Sequence, residues 1–354
     1  MNLKILLLPG DGIGAEVTAA AVDVLQAVAN KFGHTLELSE GLIGGVAIHK
    51  TGTPLPQDTV DKALAADATL MGAVGLPEFD NADPSKRPEK GLLGIRKALG
   101  VFANLRPVRT WPALVDSSPL KNHLVEGTDM IIVRELTGGL YYGEPRGVYE
   151  DYAVNTMRYT KPEIQRVARK AFQLARARRK KLTSVDKSNV IENSQLWRRV
   201  VVEIAKEFPD VELDHLLVDN CAMQLVLAPK RFDVILTENM FGDILSDEGA
   251  VLAGSIGMLP SASLGESKGL YEPVHGSAPD IAGQNKANPF GAIGSAAAML
   301  EYTFGLMKEA AAVNAAIGKV LDSGRVTADL KLQGAPASTS EVGQSVSKAV
   351  SEAI

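Results

Sequence analysis

The chain has 354 residues, is 45% hydrophobic and carries a formal net charge of −5 at pH 7. That length supports two domains with well-buried cores, the acidic balance argues against nucleic acid as a general partner, and no apolar run approaches the ~18 residues of a membrane span. The N-terminal apolar run at 5–8 is too short for a signal-peptide core, and the single cysteine, Cys221, excludes an intrachain disulfide or a multi-cysteine metal cluster, so a cytoplasmic address is expected.

Short apolar runs alternate with helical patterns along the chain. A strand at 3–8 precedes a helix at 15–30. A strand at 68–73 is followed, after a polar, proline-rich connection at 77–90, by a helix at 92–99. A strand at 130–133 leads to a helix at 162–177, whose basic end, Arg176, Arg178, Arg179, Lys180 and Lys181, runs into a strand at 182–185. A helix at 190–208, a strand at 213–218, a short helix at 222–227, a strand at 234–237 and a helix through Asp247 continue the series. A second polar connection is expected at 261–274. Gly291 and Gly294 fall in a helical stretch that each should soften by up to ~1 kcal/mol. The alternation gives an α/β fold with a largely parallel sheet. The basic run complements a helix C-terminal dipole. Contact with a phosphate backbone is the other reading, although no aromatic residues interleave with it to stack on bases.

Parallel sheets bind ligands beyond the carboxyl ends of their strands. Lys187, Asp219 and Asp243 each follow such an end, with Asp247 one helical turn beyond Asp243. In Asp243-Ile244-Leu245-Ser246-Asp247 the spacing puts both acids on one helix face. Two carboxylates ~4 Å apart repel by roughly 4 kcal/mol at an effective dielectric of 20. A positive partner is therefore expected, a hard dication such as Mg²⁺ or Mn²⁺ being the natural one; an exposed helix with two solvated acids is the alternative. Gly10-Asp11-Gly12-Ile13-Gly14-Ala15 follows the first strand and matches the dinucleotide fingerprint, with Glu37 about 20 residues on. The competing reading gives this turn only part of a cofactor pocket. In Glu272-Pro273-Val274-His275-Gly276-Ser277-Ala278-Pro279-Asp280, glycine allows close backbone approach, His275 can stack or hydrogen-bond, and Asp280 can accept from ribose hydroxyls while repelling a 2′-phosphate. A plain surface loop fits the same composition.

These residues resemble the isocitrate and isopropylmalate dehydrogenase family of metal-dependent β-decarboxylating oxidoreductases. The likeness runs through nearly the whole chain. It is carried by Gly91-Leu92-Leu93-Gly94-Ile95-Arg96, Asn104-Leu105-Arg106-Pro107, Arg134-Glu135-Leu136-Thr137-Gly138-Gly139 with Tyr141, Ser184-Val185-Asp186-Lys187, and residues 239–247 and 275–280. It implies a two-domain α/β fold with a parallel or mixed sheet, distinct from a true Rossmann fold, in which residues 1–101 plus 254–354 form one domain and 102–253 the other. By the same likeness Arg96, Arg106 and Arg134 hold the carboxylates of a substituted malate, a task suited to guanidinium geometry. Glu89, Leu92, Leu93 and Val190 border the substrate, the leucines packing on an isopropyl group. Asp219, Asp243 and Asp247 bind Mg²⁺ or Mn²⁺, and Asp219 also meets the substrate. Lys187 takes up the hydroxyl proton, and Tyr141 protonates the enol left after decarboxylation. Ile13, Glu272, His275, Gly276, Ser277, Ala278, Asp280 and Asn288 contact NAD. The implied reaction is oxidative decarboxylation of (2R,3S)-3-isopropylmalate to 4-methyl-2-oxopentanoate and CO₂ in leucine biosynthesis. Its agent is a homodimer with Lys187 and Asp219 contributed across the interface, and neither nucleic acid nor membrane is a partner. The chain departs from the family pattern at Ile48-His49-Lys50, where an acidic residue is expected, and at Leu76, within what is usually a glycine-rich turn.

Overall fold

The structure, a computed structural model, describes residues 1–83 and 86–353. Residues 1–101, 111–117 and 254–354 form one compact unit, and residues 102–110 with 118–253 form a second. Among the described residues the strands are β1 (Asn2–Gly10), β2 (Thr35–Glu40), β3 (Ala68–Ala73), β4 (Ala103–Arg109), β5 (Asp129–Glu135), the short β6 (Gly147–Val148) and β7 (Ala153–Val154), β8 (Lys181–Asp186), β9 (Glu212–Leu217), β10 (Val234–Thr237), β11 (Pro260–Leu264) and β12 (Gly269–Pro273). The α-helices are α1 (Gly14–Phe32), α2 (Gly45–Thr51), α3 (Gln57–Ala65), α4 (Pro88–Leu99), α5 (Asn122–Val125), α6 (Lys161–Ala177), α7 (Glu192–Ala205), α8 (Val218–Leu227), α9 (Asn239–Leu252), α10 (Phe290–Tyr302), α11 (Met307–Asp322) and α12 (Thr339–Glu352). No helix among the described residues is long and apolar enough to cross a membrane.

In the first unit the strand order is β2-β1-β3-β12-β11, with only β11 antiparallel to its neighbour within the unit. Strands β1 and β3 are buried on both faces, which is why they read as continuous apolar runs without alternation. Helix α1 packs on α12 and α10. A Cβ placed on Gly343 of α12 would lie 2.9 Å from the Cβ of Ala20 on α1, so small residues set how closely those helices approach.

In the second unit the order is β4-β5-β10-β8-β9, parallel from β5 through β9 and with β4 antiparallel. Helix α6 begins with a capping box in which Thr160 and Glu163 bond reciprocally, and Pro162 sits in its first turn. Its basic end is fully occupied by ion pairs. Arg178 and Arg179 pair with Asp129 and Asp233, Arg176 and Lys180 with Asp210, and Lys181 with Glu212. That arrangement ties the α6–β8 corner together and presents no unbalanced cationic stripe. Cys221 is fully buried, and burial pushes its thiol up to about 12, which leaves it a packing group.

Several expectations are corrected. The segment 261–274 is largely a buried antiparallel hairpin, β11 to β12; Ser261 and Ser263 look like loop residues but are 3% and 0% exposed. The connection at 77–90 opens with a 3₁₀ turn at Pro77–Phe79 and is already helical from Pro88, while Pro84 and Ser85 lie outside the described residues. Val218 opens α8 and does not end β9, so Asp219 stands in the first turn of a helix. Val190 lies in the turn before α7. The glycines of α10 are contact residues. A Cβ on Gly291 would come within 2.9 Å of the Leu259 carbonyl oxygen and 3.0 Å of that of Gly257. Gly291→Ala is thus expected to lower stability by about 1–3 kcal/mol through overpacking, against the ~1 kcal/mol that helix propensity would add. Urea denaturation decides it, and a rise in midpoint would contradict the packing argument.

Candidate active site

Strands β5, β10, β8 and β9 run in one direction, so the segments that follow their last residues share one rim of the second unit. After β10, Glu238 caps α9, its carboxylate accepting from Phe241 N at 2.6 Å and Met240 N at 3.2 Å. Burial raises the Glu238 pKa, and the Tyr159 hydroxyl donates to it at 3.1 Å.

The capped helix presents Asp243 and Asp247 to two arginines. Arg134, at the end of β5 and 6% exposed, donates Nη1 to Asp243 Oδ1. Arg106, on β4, donates Nη1 to Asp247 Oδ1 at 3.0 Å and to Ser246 Oγ at 2.7 Å, and its Nη2 lies 3.8 Å from Asp243 Oδ1. Tyr141 Oη donates to Asp243 Oδ2 at 3.0 Å. Its partial burial and this anionic acceptor raise the phenol pKa, which keeps it protonated and able to donate. The positive partner expected beside the paired acids is therefore present as guanidinium. After β8 and β9, Lys187 Nζ donates to Asp219 Oδ1, which holds the Asp219 carboxyl below the usual carboxylate range. The Lys187 loop is anchored by buried Asp186, whose carboxylate accepts from Arg198 Nε at 2.8 Å and Ser188 N at 2.9 Å.

Among the described residues no three His, Cys, Asp or Glu side chains of the chain converge as a metal cluster. The structure brings Asp243 and Asp247 together and leaves Asp219 with Lys187. Carboxylate oxygens with no thiolate or imidazole are the donor set of Mg²⁺ or Mn²⁺, and each carboxylate keeps acceptor sites beyond its arginine bonds. The donors fit such an ion, and the chain alone supplies two of them side by side.

In the first unit, the ends of β1, β3 and β12 gather the glycine turn, Gly75 and the His275 loop. Gly12 (φ +55°) could carry no side chain, because a Cβ there would lie 2.0 Å from the Ser277 carbonyl oxygen. The Ile13 amide donates to that same oxygen at 2.8 Å. The turn is thus closed over by the His275 loop, and Ile13 is buried behind it. Glu37 lies on β2 and accepts from Asn2 Nδ2 at 2.8 Å. His275 is buried, its Nδ1 is 2.8 Å from the Gly276 oxygen, and its Nε2 has no protein partner. Gly276 and Asp280 are exposed, and nothing would obstruct a Cβ at Gly276. A buried imidazole nitrogen awaiting a partner, open backbone and an exposed carboxylate fit a nucleotide. Ser277 bonds Gly75 O through its hydroxyl, Ala278 holds φ +36°, and Asn288 is buried with its Nδ2 2.9 Å from Asp329. Arg96 Nη2 and Glu272 form a 2.8 Å pair, and the buried Arg96 Nε has no protein partner, a donor suited to an incoming anion. On α4, Glu89 and Leu93 are exposed and Leu92 is half-buried; Val190 is exposed in the second unit.

Sequence reasoning missed three supports. Asp11, 2% exposed, accepts from the amides of Gly45, Val46 and Gly75, each at 2.8 Å, and so ties α2 and the β3 turn to the glycine turn. Glu238 and Asn239 organise the start of α9. The signal for Glu238 was an acidic residue one place before a helix that carries function.

A sequence profile described as isocitrate/isopropylmalate dehydrogenase matches residues 4–346. The chain belongs to that family. A 3-isopropylmalate dehydrogenase of Geobacillus kaustophilus is 59% identical over 99% of this chain and 96% of that protein. One of Bacillus subtilis is 55% identical over 99% of this chain and 98% of that protein. Among solved structures, an isocitrate dehydrogenase of Methylococcus capsulatus aligns with TM-score 0.88 at 36% identity over 99% of this chain and all of that one. As in other members of the family, the fold is α/β with a large, mostly parallel sheet.

Burial of His275 lowers its pKa by disfavouring the imidazolium. The unfolded chain then binds more protons below about pH 6.5, so this contribution to stability is complete above that pH and is lost as pH falls towards the folded value. The urea midpoint should drop less between about pH 7.5 and about pH 5.5 in His275→Gln than in the parent. An equal drop in both would contradict the assignment.

Proposed function

We propose that this chain catalyses NAD-dependent oxidative decarboxylation of (2R,3S)-3-isopropylmalate to 4-methyl-2-oxopentanoate and CO₂ in leucine biosynthesis, a reading supported by relatives that carry the name 3-isopropylmalate dehydrogenase. The observation that carries the reading is the cluster of Arg106, Arg134, Tyr141, Asp243 and Asp247, which combines anion binding, hard cation ligands and a protonated phenol. When bound, the nicotinamide accepts a hydride and a divalent cation lends Lewis-acid polarisation to the C2 oxygen.

Arg96, Arg106 and Arg134 orient the two substrate carboxylates. Lys187 Nζ receives the C2 hydroxyl proton as the C2 hydride departs. The bond from C3 to its carboxylate then breaks, releasing CO₂, its electron pair forms the C2–C3 double bond of an enolate, and Tyr141 Oη delivers a proton to C3, which restores the C2 carbonyl. Asp243 and Asp247 hold the cation with Asp219. His275, Asp280 and the backbone of 276–278 hold NAD, and the exposed Asp280 carboxylate disfavours a 2′-phosphate. Leu92 and Leu93 face the C3 alkyl group; a pocket of this kind discriminates one methylene by only ~1–3 kcal/mol, so other 3-alkylmalates react slowly.

The working unit of this reading is a cytoplasmic homodimer in which Lys187 and Asp219 serve the partner's site. Its support is apolar surface left exposed on two helices, Met223 and Leu227 on α8 and Ile244 and Val251 on α9, with Val148 and Tyr152 on the β6–β7 arm.

NADH formation from 3-isopropylmalate should require Mg²⁺ and be abolished by EDTA. Lys187→Met and Asp243→Asn should each cost at least ~10² in turnover. Co-refolding those two inactive variants should restore activity that neither shows alone, because one site of the mixed dimer is intact; no recovery would contradict the cross-chain arrangement. Preference for D-malate by more than about tenfold would overturn the substrate assignment.

A further inference from the structure

We propose that Asn239 is a positioning residue for this reaction: an uncharged acceptor that fixes the Arg134 guanidinium, and through Gly138 the turn carrying Tyr141, without adding negative charge to the arginine. The inference rests on the reading above, in which Arg134 meets a substrate carboxylate.

Asn239 is the first residue of α9 and is 1% exposed. Its side-chain oxygen accepts from both Arg134 Nε, at 3.0 Å, and Nη2, at 2.7 Å. Its Nδ2 donates to the Gly138 carbonyl at 3.1 Å. Asp243, one turn along the same helix face, takes Nη1 of the same guanidinium. The arginine is therefore braced across a single helical turn, on one edge by a neutral amide and at one corner by a carboxylate. The turn it reaches is fixed from a second side. Gly139 (φ +75°) packs so closely on Tyr159 that a Cβ would lie 2.3 Å from the tyrosine oxygen, and that oxygen accepts from the Asn239 backbone N–H at 3.0 Å. One side chain thus sets the relation between an anion-binding arginine and the phenol that donates to Asp243.

Charge explains why an amide suits this place. An aspartate could accept the same two N–H bonds in fork geometry, but Arg134 would then face two carboxylates, weakening its pull on a dianionic substrate. It would also set a carboxylate oxygen against the Gly138 carbonyl, where Asn239 now donates. An alanine would leave the Arg134 edge and the Gly138 carbonyl unpaired in a buried setting.

The test is steady-state kinetics of the full-length enzyme with Mg²⁺, NAD and 3-isopropylmalate, comparing the parent with Asn239→Asp, Asn239→Ala and Arg134→Met. Asn239→Asp, which matches the native residue in size, should raise KM for the malate by about tenfold or more while KM for NAD stays within about twofold. Asn239→Ala should additionally lower kcat, because the Tyr141 turn loses its anchor. If Arg134→Met raises KM for the malate but Asn239→Asp leaves it within about twofold, the positioning role is overturned and the functional reading stands. Equal loss in both KM values together with a fallen thermal midpoint would mark Asn239 as merely structural and also overturn it. If Arg134→Met leaves KM unchanged, the functional reading fails and takes this inference with it.

Discussion

Asp243 and Asp247 repel each other from adjacent turns of α9, and the guanidiniums of Arg106 and Arg134 offset that repulsion from strands β4 and β5. This balance shapes the second unit. Strands β5 and β10 are parallel neighbours, so the residue that ends one and the helix that follows the other lie side by side. The helix start is fixed by Glu238, whose buried carboxyl serves backbone amides and not a ligand. A cluster built this way is pre-organised: its charges are in place before an anionic substrate arrives, and only its outer acceptor sites remain for a cation.

The first unit answers a different demand, close approach of backbone to backbone. The buried Asp11 carboxylate collects three amides from two segments, the start of α2 and the turn after β3, and Gly12 lets the His275 loop settle on the glycine turn. A fingerprint that reads as pyrophosphate binding is thereby consumed by packing, since the Ile13 amide already has a protein acceptor. What faces outward is the next layer, with exposed Gly276 and Asp280 beside the buried imidazole of His275.

The parallel strands were legible because burial on both faces leaves a run of apolar residues that periodicity can find. The edge strand β2 was not, being mostly exposed, nor was the β11–β12 hairpin, whose serines are buried by neighbours that no local pattern names. The α9 acids were readable from their spacing, but their arginine partners stand 109 and 141 residues away in sequence, and only family likeness pointed to them. Asn239 lay inside a recognised stretch and still passed unnoticed, because its role is set by what it touches. The α10 glycines were misjudged for the same reason: propensity is a local quantity, and the Leu259 carbonyl is not.

The proposed reaction requires the paired carboxylates of α9 to grip a dication beside the substrate. Titration of Mn²⁺ followed by electron paramagnetic resonance, with 3-isopropylmalate present, measures this without requiring turnover. One Mn²⁺ per chain, with the bound signal lost in Asp247→Asn, is the predicted result. Undiminished Mn²⁺ binding in that variant, or none in the parent, would contradict it.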